Sequence, residues 1–165
     1  MEIRKLRSGD DLFAVSRVYE ESWRAAYRGL LPQEYLDSIP AGKWVPYLEQ
    51  AGRDSLILLD KGSIVGTASC CASRVQELAG WGEIISIYLL PEYWRKGWGK
   101  RLFSAVVAEL EAMGYRNLFL WVLESNQRAR VFYERMGFHQ NASYLDDEIG
   151  GMPVREVQYR REGNG

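Results

Sequence analysis

Residues 91–101, Pro-Glu-Tyr-Trp-Arg-Lys-Gly-Trp-Gly-Lys-Arg, carry the most readable chemistry in this chain. Gly97 and Gly99 lack Cβ atoms, so a ligand can come close to the backbone there. A helix that opens at about Gly99 leaves roughly four amide N–H groups without intrahelical partners, and its dipole adds positive character. Arg95, Lys96, Lys100 and Arg101 crowd the same end. Cations at a helix N-terminus cost ~0.3–1 kcal/mol each, unless a multiply charged anion sits among them. The stretch therefore reads as a pyrophosphate site, with a solvated basic loop as the plainer alternative. Two nucleotide motifs do not fit. A Rossmann fingerprint needs a third glycine where Leu102 stands, and a P-loop needs Ser or Thr where Arg101 follows Gly99-Lys100.

The elements around this loop are legible from periodicity. Residues 84–90 are apolar on both faces, as in a central strand covered on both sides, and Pro91 stops the ladder. Leu102, Phe103, Val106, Val107, Leu110 and Met113 then form a helical stripe that Gly114 ends. Residues 117–123 predict a second buried strand, followed by a helix carrying Tyr133. Toward the N-terminus, residues 2–6 predict an edge strand. Ser8 and Asp11 signal a helix with the stripe Leu12, Val15, Tyr19, Ser22, Trp23 and Ala26, which Gly29 ends. Pro32 suits the first position of a short helix through Tyr35 and Leu36, and residues 43–49 predict another helical piece. Residues 55–60 and 63–71 read as a hairpin closed by Lys61-Gly62. Residues 76–80 read as a loop, 138–145 and 153–161 as a closing pair of strands around 146–151, and the tail 162–165 as disordered. This order predicts a mixed α/β sheet with helices on both faces, in one domain spanning residues 1–165.

Composition sets the outer limits. The chain has 165 residues, 47% hydrophobic and 26% charged, which is the range of an ordinary globular domain. No apolar run approaches the ~18–20 residues that span a bilayer, and no signal-peptide core follows Met1, so the expected location is cytoplasmic. A net charge of −1 offers no field to recruit nucleic acid or a membrane surface. Cys70 and Cys71 are neighbours on a predicted strand and point to opposite faces, which suits reduced packing thiols. His139 is the single histidine, so neither a zinc site nor a Ser–His–Asp triad is expected, and no metal cofactor is predicted.

Residues 91–100 resemble the acetyl-CoA pyrophosphate loop of the GNAT N-acetyltransferase superfamily, which usually reads Gln/Arg-x-x-Gly-x-Gly/Ala. Gly97 and Gly99 match, while Trp94 stands at the Gln/Arg position. Residues 125–138 resemble that family's second cofactor segment, Asn-x-x-Ala-x-x-(Phe/Leu)-Tyr-x-x-x-Gly-Phe. Asn126, Ala129, Phe132, Tyr133, Gly137 and Phe138 fall in place, in the family's order and at a family-like separation. The resemblance covers most of the chain, more loosely toward the N-terminus.

What the resemblance implies can be set out residue by residue. The fold would be a GNAT-like, largely antiparallel mixed sheet whose two central strands splay apart to admit the pantetheine arm of acetyl-CoA, the acyl donor. Arg95, Lys96, Gly97, Trp98, Gly99 and Lys100 would hold the pyrophosphate. Backbone groups of Ile87, Tyr88 and Leu89 would bond the pantetheine, and one N–H would polarise the thioester carbonyl. Asn126 would contact the cofactor, cap the following helix, or both. Acyl transfer also needs a deprotonated nucleophile and an acid for the leaving thiolate. Tyr133 is the candidate acid, although the stripe Ala129, Phe132, Tyr133, Met136 on its own suggests core. Glu83, opening the central strand, is the candidate base, with a solvated strand-end carboxylate as the alternative.

Trp23 and Tyr27, one helical turn apart, would line the acceptor mouth, with Trp81 and Tyr144 approaching from elsewhere and core packing as the plainer alternative. Asp146, Asp147 and Glu148 would favour a cationic amine if they face it. The expected function is direct acetyl transfer to a primary amine of a small molecule or peptide. The alternatives are a CoA-binding regulatory domain that has lost chemistry and, less compatible with the charge, a nucleic-acid binder using residues 95–101. Members of the resembled family are frequently homodimers, which makes self-association an expectation without naming a surface.

Overall fold

The computed structural model describes residues 1–163. Seven strands, β1 (Glu2–Lys5), β2 (Arg53–Asp60), β3 (Ser63–Ala72), β4 (Gly82–Leu89), β5 (Leu118–Leu123), β6 (His139–Ile149) and β7 (Met152–Arg161), form one sheet in the order β1-β2-β3-β4-β5-β7-β6. Every neighbouring pair is antiparallel except β4–β5. Parallel neighbours need a crossover, and helix α4 (Trp98–Ala112) supplies it. This is the mixed sheet expected from the order of elements.

The parallel pairing is short. Gly82, Glu83 and Ile84 face Leu118, Phe119 and Leu120, and no pairing continues past them. Two features open the sheet at this point. Ser86 pairs with Ser69 and Ile84 with Cys70, so Ile85 is an extra residue on β4, a bulge that bends the strand. On its far side β5 stays paired with β7 from Leu118↔Arg161 to Leu123↔Glu156. One strand bends while the other is held, so the two central strands splay as expected.

Helices cover both faces. On one face Leu102, Phe103, Val106 and Leu110 of α4 are buried with Leu118, Leu120 and Phe138. Each such side chain contributes about 1.5–3 kcal/mol by leaving water. On the other, α1 (Leu12–Ala26) buries Val15 and Tyr19, while α2 (Gln33–Asp37) and α3 (Val45–Leu48) extend the cover. Asp11 caps α1 by accepting the Phe13 and Ala14 N–H groups at 3.0 and 3.2 Å. Helix α5 (Gln127–Arg135) follows β5.

Several boundaries differ from the sequence expectation. Pro32 is the residue before α2 rather than its first, and α3 is confined to one turn that starts just ahead of Pro46, which tolerates only a first-turn position. Residues 76–78 form a 3₁₀ turn. The closing hairpin is longer than predicted. Gly150 and Gly151, at φ 60° and 80°, make a two-residue turn, so Asp146, Asp147 and Glu148 belong to strand β6 rather than to a loop. A Cβ on Gly150 would lie 2.6 Å from Tyr35 Cβ, so the hairpin tip packs closely on α2. Of the tail, Gly163 donates its N–H to Asn117 Oδ1 at 3.0 Å, and Asn164 and Gly165 lie outside the described residues. No helix among the described residues is long and apolar enough to cross a membrane.

Candidate active site

The splay between β4 and β5 leaves a cleft of about 350 Å³. Its floor is Ile85 to Leu89 of β4 and Trp121 to Leu123 of β5, and its walls come from α1, α5 and the loop before α4. Sequence position alone does not show this convergence, because the walls lie some 100 residues apart in the chain, from Ser22 to Tyr133.

At the loop end, Gly97 precedes α4 at φ 85°, a conformation glycine adopts at little cost, and no side chain caps the helix. The first intrahelical bond is Arg101 N–H to Gly97 C=O at 3.3 Å, so the N–H groups of Trp98, Gly99 and Lys100 have no helical acceptor. Arg95 also takes a left-handed φ of 60°, which costs about 1 kcal/mol for a residue with a side chain. Cations gather here, and none of Arg95, Lys96, Lys100 and Arg101 makes a salt bridge among the described residues. Lys96 Nζ lies over Tyr93 and the Arg101 guanidinium over Trp98, 5.9 and 4.9 Å from the ring centroids. Gly99 lines the cleft, and a Cβ there would only touch Leu89 and Phe132 at 3.7 and 3.9 Å. Protein packing does not demand this glycine.

Trp94 stands where the resembled loop has Gln or Arg, and its role is visible. Its indole N–H donates to Leu89 C=O at 2.9 Å, and the Arg128 guanidinium sits 4.1 Å from its ring centroid. Partial burial and the nearby Arg95 charge lower the Arg128 pKa. Two guanidinium groups are thus held close, with no salt bridge to either among the described residues, an arrangement that an anion would relieve.

At the reacting end, Leu90 N–H bonds Val65 C=O across to β3. Backbone groups alternate along a strand, so Ile87 and Leu89 direct theirs at the cleft and Tyr88 directs its own at β3. Leu89 C=O is already engaged by Ser22 Oγ at 2.7 Å and by Trp94. The Ile87 amide is therefore on the open edge. Tyr133, on α5, lines the cleft against Phe103, 5.7 Å between ring centroids. Its hydroxyl has no hydrogen-bond partner among the described residues, and burial, helped by Tyr88, pushes its pKa well above the ordinary phenol value. Asn126 caps α5 by accepting Ala129 N–H at 3.2 Å and lines the cleft as well, so its two expected roles are geometrically compatible.

Trp23 and Tyr27 both line the cleft, in edge contact at 4.8 Å. The Tyr27 and Tyr88 hydroxyls are 3.2 Å apart, and burial pushes Tyr88 up to about 12 and Tyr27 well above 10. Among the described residues the Trp23 indole N–H is buried with no well-formed hydrogen bond, and the Tyr88 hydroxyl is the group it approaches.

Four expected contributors stand elsewhere. Glu83 is not part of the cleft lining. It lies in the still-paired segment of β4, between Cys71 and Phe119 and ahead of the bulge at Ile85. Its carboxylate accepts from Arg74 three times, from Nη2 at 2.6 Å, Nε at 3.2 Å and the backbone N–H at 3.1 Å. Taking up a proton there would cancel the charge with which Arg74 is paired. Trp81 packs on Phe119 beneath Arg160, and Tyr144 is exposed beneath Arg155. Asp146 pairs with Arg155 at 2.7 Å. Conversely, Arg128, Trp121 and Glu156 line the cleft and were not predicted. Arg128 sits inside the second segment at an unconstrained position, Trp121 looks like one more apolar residue of a buried strand, and Glu156 belongs to a strand remote in sequence.

The model of the Acetyltransferase (GNAT) family matches residues 15–138. The chain belongs to the GNAT acetyltransferase family. Among its relatives, the uncharacterized N-acetyltransferase YuaI of Bacillus subtilis is 29% identical over 90% of this chain and 86% of its own length. A spermidine N(1)-acetyltransferase of Thermoplasma acidophilum is 30% identical, with 96% and 98% covered. The crystal structure of PaiA N-acetyltransferase from Thermoplasma acidophilum in complex with coenzyme A superposes with a TM-score of 0.75 at 25% identity, covering 98% of both chains. This GNAT protein is an acetyltransferase with acetyl-CoA as donor. Its own geometry fits the donor. Among the described residues, N–H groups without helical acceptors and guanidinium groups without salt bridges lie at one end of the cleft, and an open strand edge lies at the other.

Proposed function

We propose that the protein transfers the acetyl group of acetyl-CoA directly to a primary amine bound in the same cleft, with Tyr133 serving the leaving sulfur. The observation that carries this reading is the Tyr133 hydroxyl, unpartnered on the wall of a cleft whose floor is the open edge of β4. Arg95, Lys96, Lys100 and Arg128, with the N–H groups of Trp98 and Gly99 beyond Gly97, bind the diphosphate. Ile87, flanked by Tyr88 and Leu89, offers its N–H to the thioester oxygen, where negative charge develops during transfer. Asn126 lines the donor arm, and Trp23 and Tyr27 wall the acceptor side.

The raised pKa keeps the Tyr133 phenol protonated at neutral pH, so it is always available as a donor. Full transfer to a thiolate of conjugate pKa ~8.5 is uphill. Its contribution is therefore a hydrogen bond that strengthens as charge reaches sulfur, with water completing the protonation. A relative at 30% identity is named for spermidine, which agrees with an amine acceptor. The test is thiol release from acetyl-CoA across a panel of primary amines, with product mass confirming one acetyl group on nitrogen. Amine-dependent release is expected. A protein that binds acetyl-CoA yet releases thiol at background rate with every amine would be a binding domain instead.

A further inference from the structure

We propose that Glu156 is the carboxylate that receives the acceptor's ammonium group and takes its proton, and that the acceptor is an aliphatic amine with no carboxylate next to the reacting nitrogen. The proposal rests on the acetyl-transfer reading above. Glu156 lies on β7 opposite Leu123 of β5, half-buried, and lines the cleft together with Trp23, Tyr27 and Trp121. Its carboxylate has no hydrogen bond or salt bridge among the described residues. The groups that act on it are Asp147 of β6, Glu83 of β4 and Arg74. Arg74 is the cation among them, and it bonds Glu83 through Nε, Nη2 and its backbone N–H. Glu156 is thus a cleft-lining carboxylate with no ion pair of its own among the described residues.

Chemistry follows from that setting. Burial first, then the Asp147 charge, raises the Glu156 pKa above the ordinary carboxylate value, which brings it closer to what a base at neutral pH needs. An ammonium ion entering between aromatic walls would find here the negative charge that compensates its lost hydration. A carboxylate beside the reacting nitrogen would meet Glu156 and Asp147 instead, and be repelled.

The proton and electron balance closes. R–NH₃⁺ gives one proton to the Glu156 carboxylate and becomes R–NH₂. Its lone pair forms the N–C bond to the acetyl carbon as the C–S bond breaks, and sulfur leaves with that electron pair. The second nitrogen proton reaches the thiolate through water beside Tyr133. Glu156 then returns its proton to solvent, so one proton is released per turnover.

The experiment compares wild type, Glu156→Gln and Glu156→Asp, using 1,5-diaminopentane as the carboxylate-free probe, 5-aminopentanoate as the distant-carboxylate probe and glycine as the adjacent-carboxylate probe. Thiol release, the acetyl-CoA thermal shift and the further shift from 1,5-diaminopentane in the presence of CoA are read for each. Glu156→Gln should lose about 100-fold in kcat/KM with 1,5-diaminopentane and lose the diamine shift, while keeping the acetyl-CoA shift. Its apo midpoint should stay level or rise at neutral pH, because an ionised carboxylate has left a desolvated site. That sign separates a working group from a structural one. Glu156→Asp should fall between the two, and glycine should be the poorest acceptor for wild type.

Glu156→Gln with wild-type kcat/KM and an unchanged diamine shift overturns the proposal, as does glycine outperforming 1,5-diaminopentane. Absence of thiol release by wild type would sink the transfer reading. A diamine shift that still depends on Glu156 would, in that case, support the ammonium-binding half on its own.

Discussion

The guanidinium of Arg128 rests 4.1 Å from the ring centroid of Trp94, whose indole N–H is tied at 2.9 Å to Leu89 C=O. The pair joins the two cofactor segments that sequence reading treats separately. Trp94 occupies a loop position where the family usually carries a polar or cationic side chain, and α5 supplies the cation instead. Stacking on an indole holds a guanidinium in place while leaving its N–H groups free.

Arg128→Gln should therefore weaken acetyl-CoA about tenfold, the scale of one charge-assisted hydrogen bond, with kcat at saturation little changed. Titration calorimetry reads the first and saturating thiol release the second. Unchanged affinity would mean that Arg128 only packs against Trp94.

Tyr133→Phe should reduce kcat by about 10- to 100-fold and leave acetyl-CoA affinity intact. Because the hydroxyl bonds no protein group among those described, its removal from this half-buried position on the cleft wall should not lower the thermal midpoint. Full turnover in this variant would take Tyr133 out of the chemistry and leave it as a wall of the cleft.

How far the sequence carried is clearest at particular residues. Gly97, Gly99 and the α4 stripe are local signals: loop, helix start and the buried positions Leu102, Phe103, Val106 and Leu110 agree with the structure, while Met113, expected on the stripe, caps the helix and is 41% exposed. The Lys61-Gly62 hairpin is equally local, with φ of 49° and 83° at the turn. The splay itself was implied by family resemblance alone. Its physical cause, the extra residue Ile85 opposite Ser69-Cys70, depends on register between strands and leaves no trace in β4 read by itself. Glu83 shows the same limit. Its place at a strand start is legible, but its capture by Arg74 is a contact across a loop. Glu156 and Trp121 become site residues only once β7 pairs with β5.

Glu83→Gln should separate structure from chemistry. The Glu83 side chain is 2% exposed and that of Arg74 60%. Loss of the charge leaves Arg74 able to reach water, so the cost should lie below the ~3–5 kcal/mol of a fully buried pair, at about 1–3 kcal/mol. For a chain of this size that is a fall of roughly 2–10 °C in midpoint. Turnover at a temperature where the variant is folded should stay within about threefold of wild type. A hundredfold loss there, with a normal midpoint, would return Glu83 to the role of base.

Gly97→Ala and Gly99→Ala should move stability in opposite directions. At Gly97 the backbone φ of 85° disfavours any side chain, although nothing lies within 4 Å of the added Cβ. The expected cost is about 1 kcal/mol from backbone conformation alone. At Gly99 the helix accepts alanine, and the new methyl meets Leu89 and Phe132 only at van der Waals distance. Alanine there should stabilise the apo protein by up to ~0.5–1 kcal/mol, through helix propensity. The same methyl stands on the cleft wall beside the free N–H groups, so acetyl-CoA affinity should fall severalfold while the midpoint rises. Thermal melts with and without acetyl-CoA read both quantities in one series. If Gly99→Ala raised the midpoint and kept the full acetyl-CoA shift, close backbone approach at Gly99 would be excluded, and the diphosphate would have to be held by the side chains of Arg95, Lys100 and Arg128.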